Sequence, residues 1–213
     1  MITILIVDDH DIVREGVKQI VHETGDIVVG GEARTGAEAM GMARERWDVI
    51  ILDLNLPDRS GLEVLAQLRS IAPQTPVLIL SMHQQSSYAA RVLKAGALGY
   101  VSKDSARGYL VNAIRRVARG ERFLTPAVAE ELAFDLMEGG GRSQHERLSD
   151  REFQVLGLIA AGKPPREIAT ELNVSVKTVG AHRARILTKM GLKNNAEIVQ
   201  YAIEHGLLTT GTR

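Results

Sequence analysis

Ile50 to Gly61 reads IILDLNLPDRSG, and this stretch decides the fold. With Val49 before it, the run Val49 to Leu52 is an unbroken series of Val, Ile and Leu. A parallel strand covered on both faces demands such a series. The run ends in a carboxylate, Asp53, at the strand's carboxyl end, where open α/β sheets hold their ligands. Pro57, Asp58 and Gly61 then turn the chain, and Ser60 with Glu63 has the spacing of a helix capping box. An Asp at a strand end is common, so Asp53 taken alone leaves chemistry and simple capping equally open.

The same pattern repeats outward in both directions. Ile2 to Val7 is an apolar run ending in Asp8-Asp9, followed by Ile12, Val13, Gly16, Val17, Ile20 and Val21 at helical spacing. Ile27 to Gly30, Val77 to Leu80 and Leu98 to Val101 read as further strands, the last two ending at Ser81 and near Ser102-Lys103. Helices are expected over Gly36 to Arg46, through Leu62, Leu65 and Leu68, over Tyr88 to Leu93 up to Gly96, and over Tyr109 to Val117, closed by Gly120. Strict alternation of strand and helix means a parallel sheet with right-handed crossovers, an α/β flavodoxin-like doubly wound domain.

In that architecture Asp8, Asp9, Asp53, Ser81 and Lys103 converge on one rim. Clustered carboxylates repel unless a cation neutralises them. Hard oxygen ligands beside a phosphate-type substrate suit Mg²⁺, and a carboxylate can itself accept a phosphoryl group. Catalysis then becomes positioning and charge neutralisation. Each residue also has an ordinary role open to it, as helix cap, loop hydroxyl or solvated lysine. Five such coincidences on one rim make the functional reading the stronger.

The composition agrees. There is no cysteine, so disulfides, thiolate zinc sites and Cys nucleophiles are excluded. No apolar run approaches the ~18 residues of a membrane span, and the start MITILIVDDH lacks the basic region of a signal peptide. A soluble cytoplasmic protein without membrane contact is expected. The formal net charge is zero, yet Glu171 and Glu197 bracket a stretch with no acid that contains Lys177, Arg183, Arg185, Lys189 and Lys193. A neutral total therefore conceals a cationic face.

Residues 1–122 resemble the receiver domain of two-component response regulators. The resemblance rests on LIVDDH (Leu5 to His10), LDLNLPDRSG (Leu52 to Gly61), LILS (Leu78 to Ser81), KAGALGY (Lys94 to Tyr100) and VSKD (Val101 to Asp104). It implies that Asp53 is the phosphoacceptor. Asp8, Asp9 and Asp53 would hold Mg²⁺, with the main-chain carbonyl of Asn55. Lys103 would pair with the phosphoryl group, Ser81 would turn toward it, and Tyr100 would move inward behind Ser81. Receivers often carry a cis-proline after this Lys, whereas here Asp104 follows. A cis bond before a non-proline residue costs about 2.5–4 kcal/mol, so the usual backbone is not assumed. The NarL/FixJ subfamily tolerates the Lys-Asp pair.

Residues 123–145 form a connector. Val128, Ala129, Leu132, Ala133 and Leu136 predict a helix over Pro126 to Met137, and Gly139-Gly140-Gly141 predict a tether open to proteolysis. Residues 146–213 predict four short helices. The first starts at the Ser149/Glu152 capping box and carries Phe153, Leu156, Ile159 and Ala160 on one face before Gly162 ends it. Pro164-Pro165 open the second, Arg166 to Leu172, and Asn173-Val174 make a tight turn. Ser175 caps the third, Val176 to Met190, stopped by Gly191, and the last runs from Ala196 to His205. This is an all-α helix-turn-helix layout, and the basic third helix suits phosphate contacts and the major groove of DNA.

Leu148 to Leu208 resembles a LuxR-type helix-turn-helix domain through LSDRE, EIATELNVSVKTVGAHRARI and KMGLKNNAEIVQYA. Thr178, His182, Arg183 and Lys189 then stand where family members touch DNA, with Lys177 adjacent and Arg185 as compensating charge. Gly180 replaces a frequent lysine, Ala184 a frequent polar residue, and Pro164-Pro165 a polar pair. The expectation is a phosphorylation-controlled transcription factor and not an enzyme, acting at most on its own phosphoryl group. Its expected partners are a sensor histidine kinase, double-stranded DNA, a second copy of itself on phosphorylation, and RNA polymerase. Two alternatives compete. A haloacid-dehalogenase-like phosphatase wants a second acid two residues after its nucleophile, where this chain has Asn55. A receiver governed by a small ligand or protein instead of phosphate tends to lose the acids that are complete here.

Overall fold

In the computed structural model, which describes residues 1–82, 86–137, 144–205 and 207, the apolar runs of the first half become parallel strands. They are β1 (Ile2–Val7), β2 (Ile27–Ala33), β3 (Val49–Leu52), β4 (Val77–Ser81) and β5 (Gly99–Ser102), joined by a sixth, β6 (Phe123–Leu124). The order across the sheet is β2-β1-β3-β4-β5-β6. Helices α1 (Asp11–His22), α2 (Gly36–Met42), α3 (Gly61–Ile71), α4 (Ser86–Lys94) and α5 (Ala106–Ala118) fill the crossovers. The chain direction reverses across the sheet between β1 and β3, which makes their carboxyl ends the natural crevice.

Register brings the site residues to one level. Val7 pairs with Leu52, Leu52 with Ile79 and Ile79 with Tyr100. Asp8 and Asp53 therefore each lie one residue beyond paired positions on adjacent strands, which run ~4.8 Å apart. Ile4 to Val7 and Val49 to Leu52 are buried at every position, so both faces of the sheet are covered. Ile4, Ile6, Ile51 and Leu80 pack against Val17 and Val21 of α1 and Leu110, Ile114 and Val117 of α5.

Two corrections to the sequence reading arise here. β2 runs on to Ala33, through the polar Gly30-Gly31-Glu32, because as an edge strand it needs only β1 as a partner. β6, two residues long, was not anticipated; Phe123 and Leu124 form it by pairing with Gly99 and Tyr100.

The chain divides into two compact units, Met1–Leu132 and Ala133–Arg213. α6 (Pro126–Met137) occupies the expected connector helix; the three-glycine tether lies outside the described residues. In the second unit, α7 (Asp150–Ala160) starts at a complete capping box between Ser149 and Glu152. α8 (Pro165–Glu171) has Pro164 at the cap and Pro165 in its first position, where a missing N–H costs nothing. The turn before α9 (Val176–Met190) places Asn173 at φ 49°, a left-handed conformation that Asn tolerates. α9 ends on Gly191, also left-handed at φ 67°, and α10 (Asn195–Glu204) follows. α7 packs on α9 and α10, and α8 on α9. Among the described residues, no helix is long and apolar enough to cross a membrane.

Candidate functional site

The loops after β1, β3 and β5 deliver Asp8, Asp53 and Lys103 to one pocket. Asp53 Oδ2 accepts a hydrogen bond from Lys103 Nζ at 2.7 Å, and the same ammonium lies 2.7 Å from Asp8 Oδ2. Asp8 and Asp53 are 2% and 1% exposed, so one buried cation faces two buried carboxylates. Asp9, partly exposed, and His10 complete the group: ligand atoms of Asp8, Asp9, His10 and Asp53 all lie within 4.8 Å of one another. His10 Nδ1 stands 3.2 Å from Asp8 Oδ1 and 2.9 Å from Asp9 Oδ1. Its place in the pocket was not anticipated, although its position directly after the acid pair was a signal.

Burial pushes the Asp53 carboxyl up to about 6; Lys103 opposes that rise, and the neighbouring Asp8 reinforces it. Burial alone would lower the Lys103 ammonium, but the charges of Asp53 and Asp8 outweigh it and hold its pKa above the usual lysine value. Asp53 Oδ1 is buried and has no hydrogen-bond partner. An unsatisfied buried carboxylate oxygen is costly, and a hard divalent cation among three carboxylates would satisfy it. The residues therefore fit Mg²⁺.

The loop after Asp53 is held tightly. Asn55 bridges to Ser60. Asp58 accepts from the main-chain N–H groups of Gly36 and Ala37 at 2.8 and 3.0 Å, which fastens this loop to the start of α2. Ser60 caps α3 by accepting from Leu62 N, two residues on, instead of through the expected box with Glu63. Gly61 is required by close approach: a Cβ there would lie 2.4 Å from the Asp53 carbonyl oxygen and 2.5 Å from Leu54 Cα.

Ser81 and Tyr100 are both fully buried, and the Ser81 side chain hydrogen bonds to the Tyr100 hydroxyl, whose pKa burial pushes up. Tyr100 thus already occupies the interior. After Lys103 the chain makes a single 3-10 turn, Lys103–Ser105, capped by Ser102. There is no cis peptide bond among the described residues, so Asp104 is accommodated by a local turn.

In the second unit, Lys177 and Arg185 of α9 are exposed, while Thr178, His182 and Arg183 are half-buried. Thr178 serves the helix cap, its N–H donating to Ser175 Oγ at 3.0 Å. Arg183 Nε donates to Asn195 Oδ1 at 2.5 Å. Lys189, expected at DNA and exposed, donates to Glu152 Oε2 of α7 at 2.6 Å. Glu152 is buried, and its other hydrogen bond is from Ser149 N at 2.8 Å. Burial alone would raise the Glu152 carboxyl; Lys189 and Ser149 outweigh it and bring it below the ordinary value. His182 Nδ1 is buried without a partner. Burial first, then Arg185 and Arg151, lower the imidazole pKa against an opposing pull from Glu152. At 1.5 Å per residue, α9 is about 22 Å long, enough to lie along a major groove. Gly180 sits in open space, with nothing within 4 Å of a Cβ placed there.

Comparison with known proteins follows this division. Residues 4–115 match the family described as the response regulator receiver domain, and residues 146–202 match the bacterial regulatory proteins of the luxR family. The chain is 35% identical to the response regulator UvrY of Escherichia coli over 100% of this chain and 98% of that protein. It is 37% identical to the oxygen regulatory protein NreC of Staphylococcus carnosus over 96% of this chain and 98% of the other. Among solved structures it resembles RcsB of Salmonella enterica serovar Typhimurium, bound to promoter P1flhDC in the presence of phosphomimetic BeF3-. The TM-score is 0.64 at 27% identity, covering 94% of this chain and 97% of that one.

Proposed function

The chain belongs to the response regulators that join a receiver domain to a LuxR-type DNA-binding domain, and from that premise we propose that Asp53 accepts the phosphoryl group by which this regulator is controlled. The observation that carries the reading is the pairing of a buried Asp53, one oxygen unsatisfied, with the Lys103 ammonium and the acids Asp8 and Asp9. An Asp53 carboxylate oxygen attacks phosphorus and forms the acyl phosphate. The P–N bond of a phosphohistidine on a sensor kinase breaks in the same step, or the P–O bond of acetyl phosphate. The imidazole or acetate leaves with the electron pair.

Asp8, Asp9 and Asp53, with the Asn55 carbonyl, would hold Mg²⁺. When bound, the ion supplies positive charge against the phosphoryl oxygens. Lys103 transfers its hydrogen bond from the Asp53 carboxylate to the phosphoryl group. Ser81 turns toward that group, which breaks its bond to Tyr100 and couples the pocket to the packing around Tyr100. The result is a shift between two populations, bounded by how differently they accommodate the phosphoryl group. Hydrolysis of the acyl phosphate returns the resting state.

In the second unit, α9 enters the major groove, and Lys177, Thr178, His182, Arg183 and Arg185 face DNA. Two copies, paired on phosphorylation, bind the half-sites of a pseudo-palindrome and regulate transcription, with RNA polymerase as a further partner. All of this takes place in the cytoplasm. The test is Asp53→Asn. The variant is expected to take no label from acetyl phosphate with Mg²⁺, and its DNA binding to lose all response to phosphodonor. Undiminished labelling with an unchanged DNA response refutes the reading.

A further inference from the structure

Arg14 is the most deeply buried arginine side chain among the described residues, 4% exposed, on a helix whose other basic residues, Lys18 and His22, are half-buried and exposed. Each branch of its guanidinium has its own acceptor. Nε donates to Glu32 of β2 at 3.0 Å, Nη2 donates to Asp11 of α1, and Nη1 donates to the main-chain carbonyl of Asp8 at 2.7 Å. The acceptors are held in turn: Glu32 by Lys18 at 2.9 Å and Asp11 by Arg34 at 3.0 Å. Burial would lower the Arg14 pKa, but Glu32 and Asp11 outweigh it and raise it, so the charge is retained.

The Asp8 carbonyl belongs to the peptide that joins Asp8 to Asp9. A peptide unit is planar, so fixing its oxygen fixes the plane and, with it, the directions in which both flanking side chains leave. We infer that Arg14 is a positioning residue for the acid pocket: it locks the Asp8–Asp9 peptide against β2 and thereby sets the two carboxylates for a divalent cation. This rests on the reading of the pocket as a Mg²⁺ site. Arg14 touches neither the cation nor Asp53 and acts through Asp8 alone. Only a fork with three donor branches joins a strand, a helix and a carbonyl at once; an ammonium cannot hold all three in fixed geometry.

The experiment is Mg²⁺ titration of the full chain by calorimetry, for wild type, Arg14→Gln and Arg14→Lys, well below each variant's melting temperature. Partners that orient metal ligands typically change affinity 10–100-fold when lost. Arg14→Gln is therefore expected to bind Mg²⁺ at least about tenfold more weakly. Arg14→Lys, which keeps one donor for the Asp8 carbonyl, recovers part of that loss. A role in stability alone lowers the melting temperature and leaves Mg²⁺ affinity within twofold, which overturns the inference. Should Arg14→Gln fail to fold, Glu32→Gln decides: it loosens the anchor of Nε, and unchanged Mg²⁺ affinity overturns the inference. If the wild type binds no Mg²⁺, it is the metal-site reading that falls.

Discussion

Removing the ammonium of Lys189 separates a helix-positioning role from a DNA-contacting one. In Lys189→Met the Glu152 carboxylate stays buried and keeps Ser149 N, but loses its 2.6 Å partner. Breaking a fully buried ion pair costs about 3–5 kcal/mol, and an exposed one about 0–1. This pair lies between, with Glu152 at 3% side-chain exposure and Lys189 at 40%. A hydrogen bond to a charged group contributes about 1.5–3 kcal/mol, so a loss near 2 kcal/mol is expected. For a unit of this size 1 kcal/mol moves the melting temperature by about 4–8 °C, which gives a fall of about 8–16 °C.

The pH dependence has a definite sign. Glu152 is depressed in the folded state, so its contribution is fully present above its ordinary value of 4.5 and is lost as pH falls below that. Lys189→Met removes much of this acid-labile component. The assay is calorimetric melting between acid and neutral pH, together with the salt dependence of binding to a generic DNA duplex. Each phosphate contact contributes about 0.9 to the slope of log affinity against log salt. Lys189→Met is expected to leave that slope unchanged once the folded fraction is accounted for, whereas Lys177→Met lowers it. A melting shift below about 2 °C together with a slope reduced by about 0.9 refutes the positioning role.

Three further outcomes follow from the same geometry. Gly61→Ala drives a methyl into the Asp53 carbonyl and Leu54 Cα; a loss of about 1–3 kcal/mol in denaturant unfolding is expected, with slower labelling by acetyl phosphate, and normal stability with normal labelling contradicts the close approach. Lys103→Met leaves Asp8 and Asp53 buried without their shared cation, so Mg²⁺ is expected to raise the melting temperature more than in wild type while labelling slows; an equal or smaller Mg²⁺ increment contradicts the electrostatics. Gly180→Lys fills open space on α9, gaining about 1 kcal/mol of helix stability and steepening the salt slope by about 0.9; an unaltered slope means that this face does not meet DNA.

The sheet and the acid pocket were legible because both are written in local runs. An apolar stretch that ends in a carboxylate states its strand and its rim together, as at Val7-Asp8 and Leu52-Asp53. β6 carried no such mark, since two residues form a strand only where Gly99 and Tyr100 offer them an edge. Arg14 and Glu152 escaped for a different reason. Charged residues default to the surface, and only tertiary acceptors make burial tolerable. Nothing within a few positions of Arg14 announces Glu32 or the Asp8 carbonyl. The ion pair of Lys189 with Glu152 went unseen too, although the spacing gave a sign of it. Val179, Ile186 and Met190 are buried, and His182 and Lys189 stand three residues after Val179 and Ile186, on the same stripe.

That stripe has a consequence for DNA binding. With Lys189 paired to Glu152 and Arg183 engaged with Asn195, the exposed residues of α9 are Val176, Lys177, Gly180, Ala181, Ala184, Arg185, Thr188 and Lys189. The acid-free sequence thus overstates the charge available to DNA, since of the three cations among these eight residues Lys189 is already paired with Glu152. Affinity for phosphates scales with the number of cations delivered, so a single copy starts from a weak position. Joining two copies doubles the contacts and makes the second docking effectively intramolecular. A recognition helix this sparsely charged therefore makes occupancy depend steeply on pairing, and pairing is the step that a phosphoryl group on Asp53 is proposed to control.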